Sequence, residues 1–172
     1  MCMDSALGKA DTYLTRDVVD WITTNLAVDS NHKHWAFGGW SYGGTCALEM
    51  ATRHPDLFPS FFDFQGEQEP ATSPDRATTI QAFGGDADAF DALVPMTLLK
   101  TQRFPDTWGF FAVGTTDTTF AQYQAAVVPA AQAAGMTVKA VQMPDQGHSW
   151  AVPIAQTIPA LEFLGPRIGL TR

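Results

Sequence analysis

A serine flanked by glycines, in Gly39-Trp40-Ser41-Tyr42-Gly43, has the spacing Gly-x-Ser-x-Gly. A serine hydroxyl is a weak nucleophile at neutral pH until a neighbouring base removes its proton, so this chemistry also needs a base and an orienting acid. The glycines permit the strained strand-to-helix turn that projects such a serine above a sheet. The backbone N–H of Tyr42, where the helix starts, is placed to donate to an oxyanion. The pattern predicts a nucleophile at Ser41; the alternative is a simple tight turn.

His148 is the histidine whose position suits a general base. It lies in Gln146-Gly147-His148-Ser149-Trp150, the loop after the last predicted strand, where the base of such a site follows in chain order. There it would accept the Ser41 proton and return it to a leaving alcohol. The alternative is a solvated loop histidine. The remaining histidines are predicted to be structural or surface residues: His32, His34 and His54.

Asp117 is the best candidate for the acid that orients this histidine. It follows the third predicted strand directly and precedes His148, which preserves the chain order serine, acid, histidine. Asp86 and Asp88, after a Gly-Gly pair, are fallback candidates. Asp145 lies too close to the histidine in sequence to reach the back of its imidazole. The sequence therefore favours Asp117 and leaves the other two open.

Alternating strand and helix patterns must position these three residues. A polar, proline-containing loop is predicted for Gln65 to Asp75 and short helices for 76–104. The alternation specifies an α/β fold with about four mainly parallel strands, helices on both faces and right-handed crossovers, as one domain over 1–172. Predicted strands are His34 to Gly38, Ser60 to Phe64, Trp108 to Val113 and Thr137 to Gln142; predicted helices are Asp11 (as cap) to about Leu26, Tyr42 to His54, Thr118 to Ala134 and Ala151 to Leu164.

Composition excludes several classes of function. The 172 residues carry a net charge of −8 without a Lys/Arg cluster, so binding of nucleic acid or an anionic membrane surface is disfavoured. No apolar run is long enough to span a bilayer, and no secretory signal is recognisable at the start. No metal or organic cofactor is implied.

Of the two cysteines, Cys46 is expected to be a free, buried small hydrophobe, with a Cys2 to Cys46 bridge as the alternative.

The sequence contains three motifs: Phe37 to Gly44 with Arg53 to Phe58, then Gly114 to Asp117, then Gly147 to Trp150. Together they resemble the esterase family of α/β-hydrolases, which includes S-formylglutathione hydrolases, feruloyl esterases, enterochelin esterases and mycolyltransferases. The resemblance implies a carboxylic ester hydrolase or an acyltransferase that forms an acyl-enzyme on Ser41, without cofactor, from a small-molecule ester or acyl substrate. It also implies that His148 moves the proton and that Asp117 orients the His148 imidazole. The helix Tyr13 to Ile22 also looks like the helix that precedes the nucleophile strand in this family.

The chain departs from the family pattern at its start. Family members carry about four further strands before the first helix, and a loop that supplies a second oxyanion donor. We therefore expect this chain to be the C-terminal portion of a longer hydrolase, with weak or no activity alone. Loss of one oxyanion-hole donor typically costs about 2.7 to 4 kcal/mol of transition-state stabilisation. The exposed edge near Ser30 to Gly38 would pair with the upstream part of the parent chain or with a second copy.

Two alternatives to ester hydrolysis stay open at this point. One is an acyltransferase of the mycolyltransferase type, since water and an acceptor alcohol would use the same residues. The other is a non-catalytic, hydrolase-like accessory domain of a larger envelope protein. The resemblance also implies an extracellular or cell-envelope location, because many members act outside the cytoplasm.

Overall fold

Four parallel strands form the central sheet in the computed structural model of the chain, which describes residues 1–170. They lie side by side in chain order, so each crossover connects neighbouring strands. The two middle strands are almost wholly buried, as expected for a parallel sheet covered on both faces. In chain order the strands are a hairpin of β1 (Asp4–Ser5) and β2 (Gly8–Lys9), then the sheet strands β3 (Ala36–Trp40), β4 (Ser60–Phe64), β5 (Trp108–Gly114) and β6 (Thr137–Met143).

Helices cover both faces of this sheet. Phe61 and Phe111 point to one face, where they pack with Leu48, Leu98 and Val127. Phe110 and Ala112 point to the other face and pack with Val152 and Ala160. The helices are α1 (Ala10–Thr12), a π-helical turn (Tyr13–Asp17), α2 (Val18–Asn25), a 3-10 turn (His32–His34), α3 (Tyr42–Arg53), α4 (Arg76–Gln81), α5 (Ala87–Asp91), α6 (Pro95–Thr101), α7 (Thr118–Ala133) and α8 (Ala151–Leu164).

The α/β fold predicted from the sequence is confirmed, with two local corrections. The strand predicted over His34 to Gly38 runs over Ala36–Trp40, because His32–His34 forms a 3-10 turn that Asn31 caps. Asp11 does not cap the first helix, which begins at Ala10. Its carboxylate instead binds the guanidinium of Arg53 and the ring of His54, so it fastens the first helix to the end of α3.

The expectation of a free cysteine at position 46 was wrong. Cys46 forms a disulfide with Cys2, with the two Cα atoms 5.4 Å apart. The N-terminal segment lies along α3, where the Cys2 N–H donates to Glu49 Oε2 at 3.0 Å and the Cys2 carbonyl accepts from Arg53. Burial raises the pKa of the Glu49 carboxyl despite the adjacent guanidinium. The first residues of the chain are thus bound covalently and by polar contacts to α3, the helix that follows Ser41.

Strand β3 lies at one edge of the sheet formed by residues 1–170. The segment that precedes β3 in the chain carries exposed apolar side chains, among them Trp21, Leu26 and Val28. Pairing of this edge with an upstream segment or a second copy stays a prediction. No helix in this described part of the chain has the length and apolarity needed to cross a membrane.

Candidate active site

Ser41 lies in the turn between β3 and α3 with a backbone conformation that non-glycine residues rarely adopt. Its φ is 56° and its ψ is −121°, which costs of order 1 to 3 kcal/mol. Neighbouring backbone holds the turn: the Ser41 N–H donates to Phe64 O at 2.8 Å, and the Ser41 carbonyl accepts from Gly44 N at 2.9 Å. The turn is therefore fixed both to the adjacent strand and to the start of α3.

The two glycines that flank Ser41 have different reasons to be glycine. A Cβ on Gly39 would lie 2.6 Å from the Gly43 carbonyl carbon, so the chain can turn only if position 39 has no side chain. A Cβ on Gly43 would meet nothing within 4 Å. The close approach is thus made possible by Gly39, and Gly43 is the backbone that it approaches.

The structure brings Ser41, His148 and Asp117 together. His148 Nε2 lies 2.8 Å from Ser41 Oγ, and His148 Nδ1 lies 2.8 Å from Asp117 Oδ2. The Asp117 side chain is 8% exposed and the His148 side chain 30% exposed, so the acid lies beneath the imidazole and the imidazole faces the solvent. This order of atoms can pass a proton from the hydroxyl to the ring while the carboxylate fixes the ring orientation.

Hydrogen bonds between two loops hold His148 against Asp117. The loop after β5 donates from Thr115 N to Met143 O at 2.9 Å and from Thr116 N to Gln146 O at 3.0 Å. A Cβ on Gly114 would lie 2.0 Å from the Gln146 carbonyl oxygen, so only glycine lets the loops come this close. The motif Gly114 to Asp117 therefore positions the loop that carries the histidine as well as the acid.

Aromatic rings surround the imidazole. The Trp40 ring stacks on His148 at a centroid distance of 5.1 Å, and the Phe120 ring lies 4.2 Å from it. Trp150 packs on Trp40 at 4.4 Å and is itself 63% exposed. These rings restrict the rotation of the imidazole and give one side of the site an apolar lining.

Gln65 contacts all three parts of this site, and sequence analysis did not single it out. It is 2% exposed and follows β4 directly. Its amide nitrogen donates to Asp117 Oδ2 at 2.6 Å and to Gly147 O at 2.9 Å, and its amide oxygen accepts from Trp40 Nε1 at 2.9 Å. A glutamine at the start of a polar loop gives no signal in the sequence, because its partners come from segments far along the chain.

The predicted oxyanion donor, the backbone N–H of Tyr42, lies at the first residue of α3. Tyr42 begins that helix, and the N–H groups of a helix's first turn have no partner inside the helix. Beside Tyr42 opens a cleft of about 740 Å³, which also reaches Phe120. Its walls include the carboxylates of Glu67 and Glu69, and burial raises the pKa of Glu67. An ester carbonyl above Ser41 could thus face a backbone donor while its substituents extend into the cleft.

A second carboxyl group lies buried behind the turn at Ser41. Burial raises the pKa of Asp63, on β4, to about 7, against one hydrogen bond from the Gly66 N–H that acts to lower it. Its Oδ1 atom would lie 2.4 Å from a Cβ on Gly44, so the carboxyl touches the first turn of α3. Asp63 therefore supports the turn from within the core and does not face the cleft.

The remaining candidate residues lie in other surroundings. Asp86 caps α5 by accepting from Ala89 N, and Asp88 lies in the first turn of the same helix. Asp145 sits in the loop before His148, and its N–H donates to Thr115 Oγ1. Each of the other histidines contacts a different partner: His32 with Trp35, His34 with Asp29 and His54 with Asp11.

Comparison with known proteins places the chain in a family. The model of the family described as "Putative esterase" matches residues 7–152. The chain belongs to this esterase family. An uncharacterized protein of Corynebacterium glutamicum is 35% identical over 98% of the chain, which spans 41% of that relative's length. The match therefore concerns one part of a longer relative.

Solved structures share the fold at low sequence identity. A ferulic acid esterase superposes with a TM-score of 0.79 at 18% identity, over 97% of the chain and 64% of its own length. An S-formylglutathione hydrolase from Agrobacterium tumefaciens gives 0.80 at 18% identity, over 94% and 58%. MPT51 from Mycobacterium tuberculosis gives 0.62 at 19% identity, over 95% and 69%. The chain thus has an α/β-hydrolase fold and spans about three fifths of the first two structures.

Proposed function

We propose that the protein hydrolyses carboxylic esters through an acyl-enzyme, with Ser41 as nucleophile, His148 as general base and acid, and Asp117 as the group that orients the imidazole. The observation that carries this proposal is the pair of 2.8 Å contacts from His148, one to Ser41 Oγ and one to Asp117 Oδ2. Membership of the esterase family supports the same class of reaction.

The contacts specify an order of steps. Ser41 Oγ attacks the ester carbonyl carbon while its proton passes to His148 Nε2. The Tyr42 N–H donates to the oxyanion that forms. The bond to the alcohol oxygen then breaks, and the imidazolium returns the proton to the departing alkoxide. Water attacks the acyl-enzyme with the same proton transfers, which releases the acid and restores Ser41.

A fluorophosphonate probe tests the nucleophile without knowledge of the substrate. Trypsin would cleave after Lys33 and Arg53, so mass spectrometry of peptide 34–53, after reduction of the Cys2–Cys46 bond, should show the adduct on Ser41. We expect labelling of the full-length protein and none of Ser41→Ala. Ser60→Ala is a matched control, since this buried hydroxyl has no hydrogen-bond partner within residues 1–170. An unlabelled Ser41 in the full-length protein, under conditions that label a control esterase, refutes the proposal.

The acyl acceptor and the compartment are further parts of the proposal. Water and an acceptor alcohol would resolve the same acyl-enzyme, so product analysis with and without added alcohols separates a hydrolase from a transferase. The Cys2–Cys46 disulfide supports a location outside the cytoplasm, because such bonds persist in oxidising compartments. Fractionation of cells that produce the full-length protein tests this location.

A further inference from the structure

Gln65 links the three segments that carry the proposed triad. We propose that it is a positioning residue, which holds the Asp117 carboxylate and the His148 loop in the arrangement needed to activate Ser41. This inference rests on the proposed function and deepens it. The supporting observations are its hydrogen bonds, its burial and its backbone conformation.

The hydrogen bonds of Gln65 reach each segment once. The amide nitrogen donates to Asp117 Oδ2 at 2.6 Å, on the loop after β5, and to Gly147 O at 2.9 Å, directly before the histidine. The amide oxygen accepts from Trp40 Nε1 at 2.9 Å, directly before Ser41. A single side chain thus fixes the distances between the acid, the base and the nucleophile turn.

The bond to Asp117 bears on the reaction itself. Asp117 Oδ2 also accepts from His148 Nδ1, so one carboxylate oxygen serves two N–H donors. A carboxylate oxygen has two lone-pair directions, and a neutral amide in one of them leaves the other for the imidazole. Gln65 therefore selects the side on which the carboxylate meets His148.

The backbone of Gln65 adds independent support. Its φ is 54°, in the left-handed region, where glycine would be free of strain and asparagine better tolerated. The Gln65 N–H is held by Ala112 O on β5 at 2.9 Å. Gln65 is strained and 2% exposed, yet both N–H groups and the oxygen of its amide are hydrogen-bonded within the site. The contacts of the side chain, and not the turn, therefore determine the residue type at this position.

Three substitutions separate positioning from mere stabilisation. Gln65→Asn suits the left-handed backbone but is one methylene too short to reach all its partners. Gln65→Met keeps the length and removes the hydrogen bonds. Gln65→Glu keeps length and the acceptor for Trp40 but places a second carboxylate beside Asp117. Gln124→Met is the matched control, because Gln124 is 8% exposed and its Nε2 has no hydrogen-bond partner within residues 1–170.

The measurement is the second-order rate of fluorophosphonate labelling of Ser41 in the full-length protein, as a function of pH, with a melting temperature for each variant. We expect Gln65→Asn and Gln65→Met to label about tenfold more slowly or worse. Gln124→Met should label at the wild-type rate. In Gln65→Glu the new carboxyl replaces an amide 2.6 Å from Asp117 Oδ2, and two carboxyl groups this close share one proton because they cannot both ionise. Asp117 then stabilises the imidazolium less, so the midpoint of the pH profile should move to lower pH.

Each outcome decides between the hypotheses. Wild-type labelling rates in Gln65→Asn and Gln65→Met, with a wild-type midpoint in Gln65→Glu, would overturn the positioning role while the proposed function stands. A purely structural role would lower melting temperatures without moving the midpoint. If the first two variants do not fold, the midpoint of the isosteric Gln65→Glu still decides. An unlabelled wild-type protein refutes the proposed function itself.

Discussion

Removal of the Cys2–Cys46 disulfide should destabilise the protein by about 4 kcal/mol. The bond joins residues separated by 44 positions, and the loop-closure entropy removed from the unfolded chain for a loop of that size corresponds to about 4 kcal/mol at 25 °C. At 2 to 4 °C per kcal/mol for a protein of this size, the melting temperature should fall by roughly 8 to 16 °C.

Urea denaturation of three samples isolates the bond from the packing of its sulfur atoms. Cys46 is 5% exposed and packs with Val19, Met50 and Phe58, so the double variant Cys2→Ala/Cys46→Ala loses some packing as well as the bond. Wild-type protein unfolded with reductant present loses the bond alone. The double variant should be insensitive to reductant, which makes it the internal control.

Two results would contradict this expectation. One is a free energy of unfolding that differs by less than about 1 kcal/mol between oxidised and reduced wild type, against the loop-closure value. The other is the titration of two free thiols in denatured protein that was never reduced. The first result would mean that polar contacts such as Cys2 N to Glu49 Oε2 hold the N-terminal segment without the bond. The second would mean that the protein lacks the bond.

Further predictions follow from single residues of the site. Asp117→Asn should reduce fluorophosphonate labelling of Ser41 by about 10³-fold or more, because a carboxamide no longer fixes the imidazole; labelling within tenfold of wild type contradicts this role. Gly39→Ala should cost about 1 to 3 kcal/mol by steric overlap with Gly43, whereas Gly43→Ala should be neutral or gain up to about 1 kcal/mol, as urea unfolding would show; equal effects contradict the steric assignment. The pKa of Asp63 is raised to about 7 from 3.8, so the folded state binds the proton more tightly and stability falls as pH rises from about 4 to about 7. Asp63→Asn should remove up to about 4 kcal/mol of that fall, measured by urea unfolding at about pH 4 and about pH 8; an unchanged slope contradicts it.

The fold was predictable because each strand and helix carries its own local signal. The strand at Ser60–Phe64 and the helix at Thr118–Ala133 lie within a residue of their predicted ends, since burial on both faces and proline or glycine boundaries mark them. The hairpin at Asp4–Ser5 was not predicted, because two-residue strands have no periodicity. Its position depends on hydrogen bonds from Thr12 to Asp4 and from Ala6 N to Ala82 O, which no local pattern contains.

The candidate site was predictable only where chain order carries information. Ser41, Asp117 and His148 each follow a strand of one parallel sheet, so all three lie at the carboxyl ends of these strands. The Cys2–Cys46 disulfide was predicted only as the alternative to a free Cys46, because two isolated cysteines have no diagnostic spacing. Gln65 was missed because its role depends on contacts with residues that lie 25 to 82 positions away along the chain.

Backbone strain is concentrated at the carboxyl ends of the sheet strands, where Ser41 lies. The non-glycine residues of 1–170 with positive φ are Ser41, Gln65 and Asp145, and they follow β3, β4 and β6 respectively. Such conformations persist only where surrounding contacts enforce them, and here each residue's N–H is hydrogen-bonded: to Phe64 O, to Ala112 O and to Thr115 Oγ1. The sheet and its helices thus hold three strained turns, each just after the carboxyl end of a strand. This arrangement suits the pre-organised nucleophile that we propose at Ser41, because strained turns that the surrounding structure enforces do not need to reorganise during the reaction.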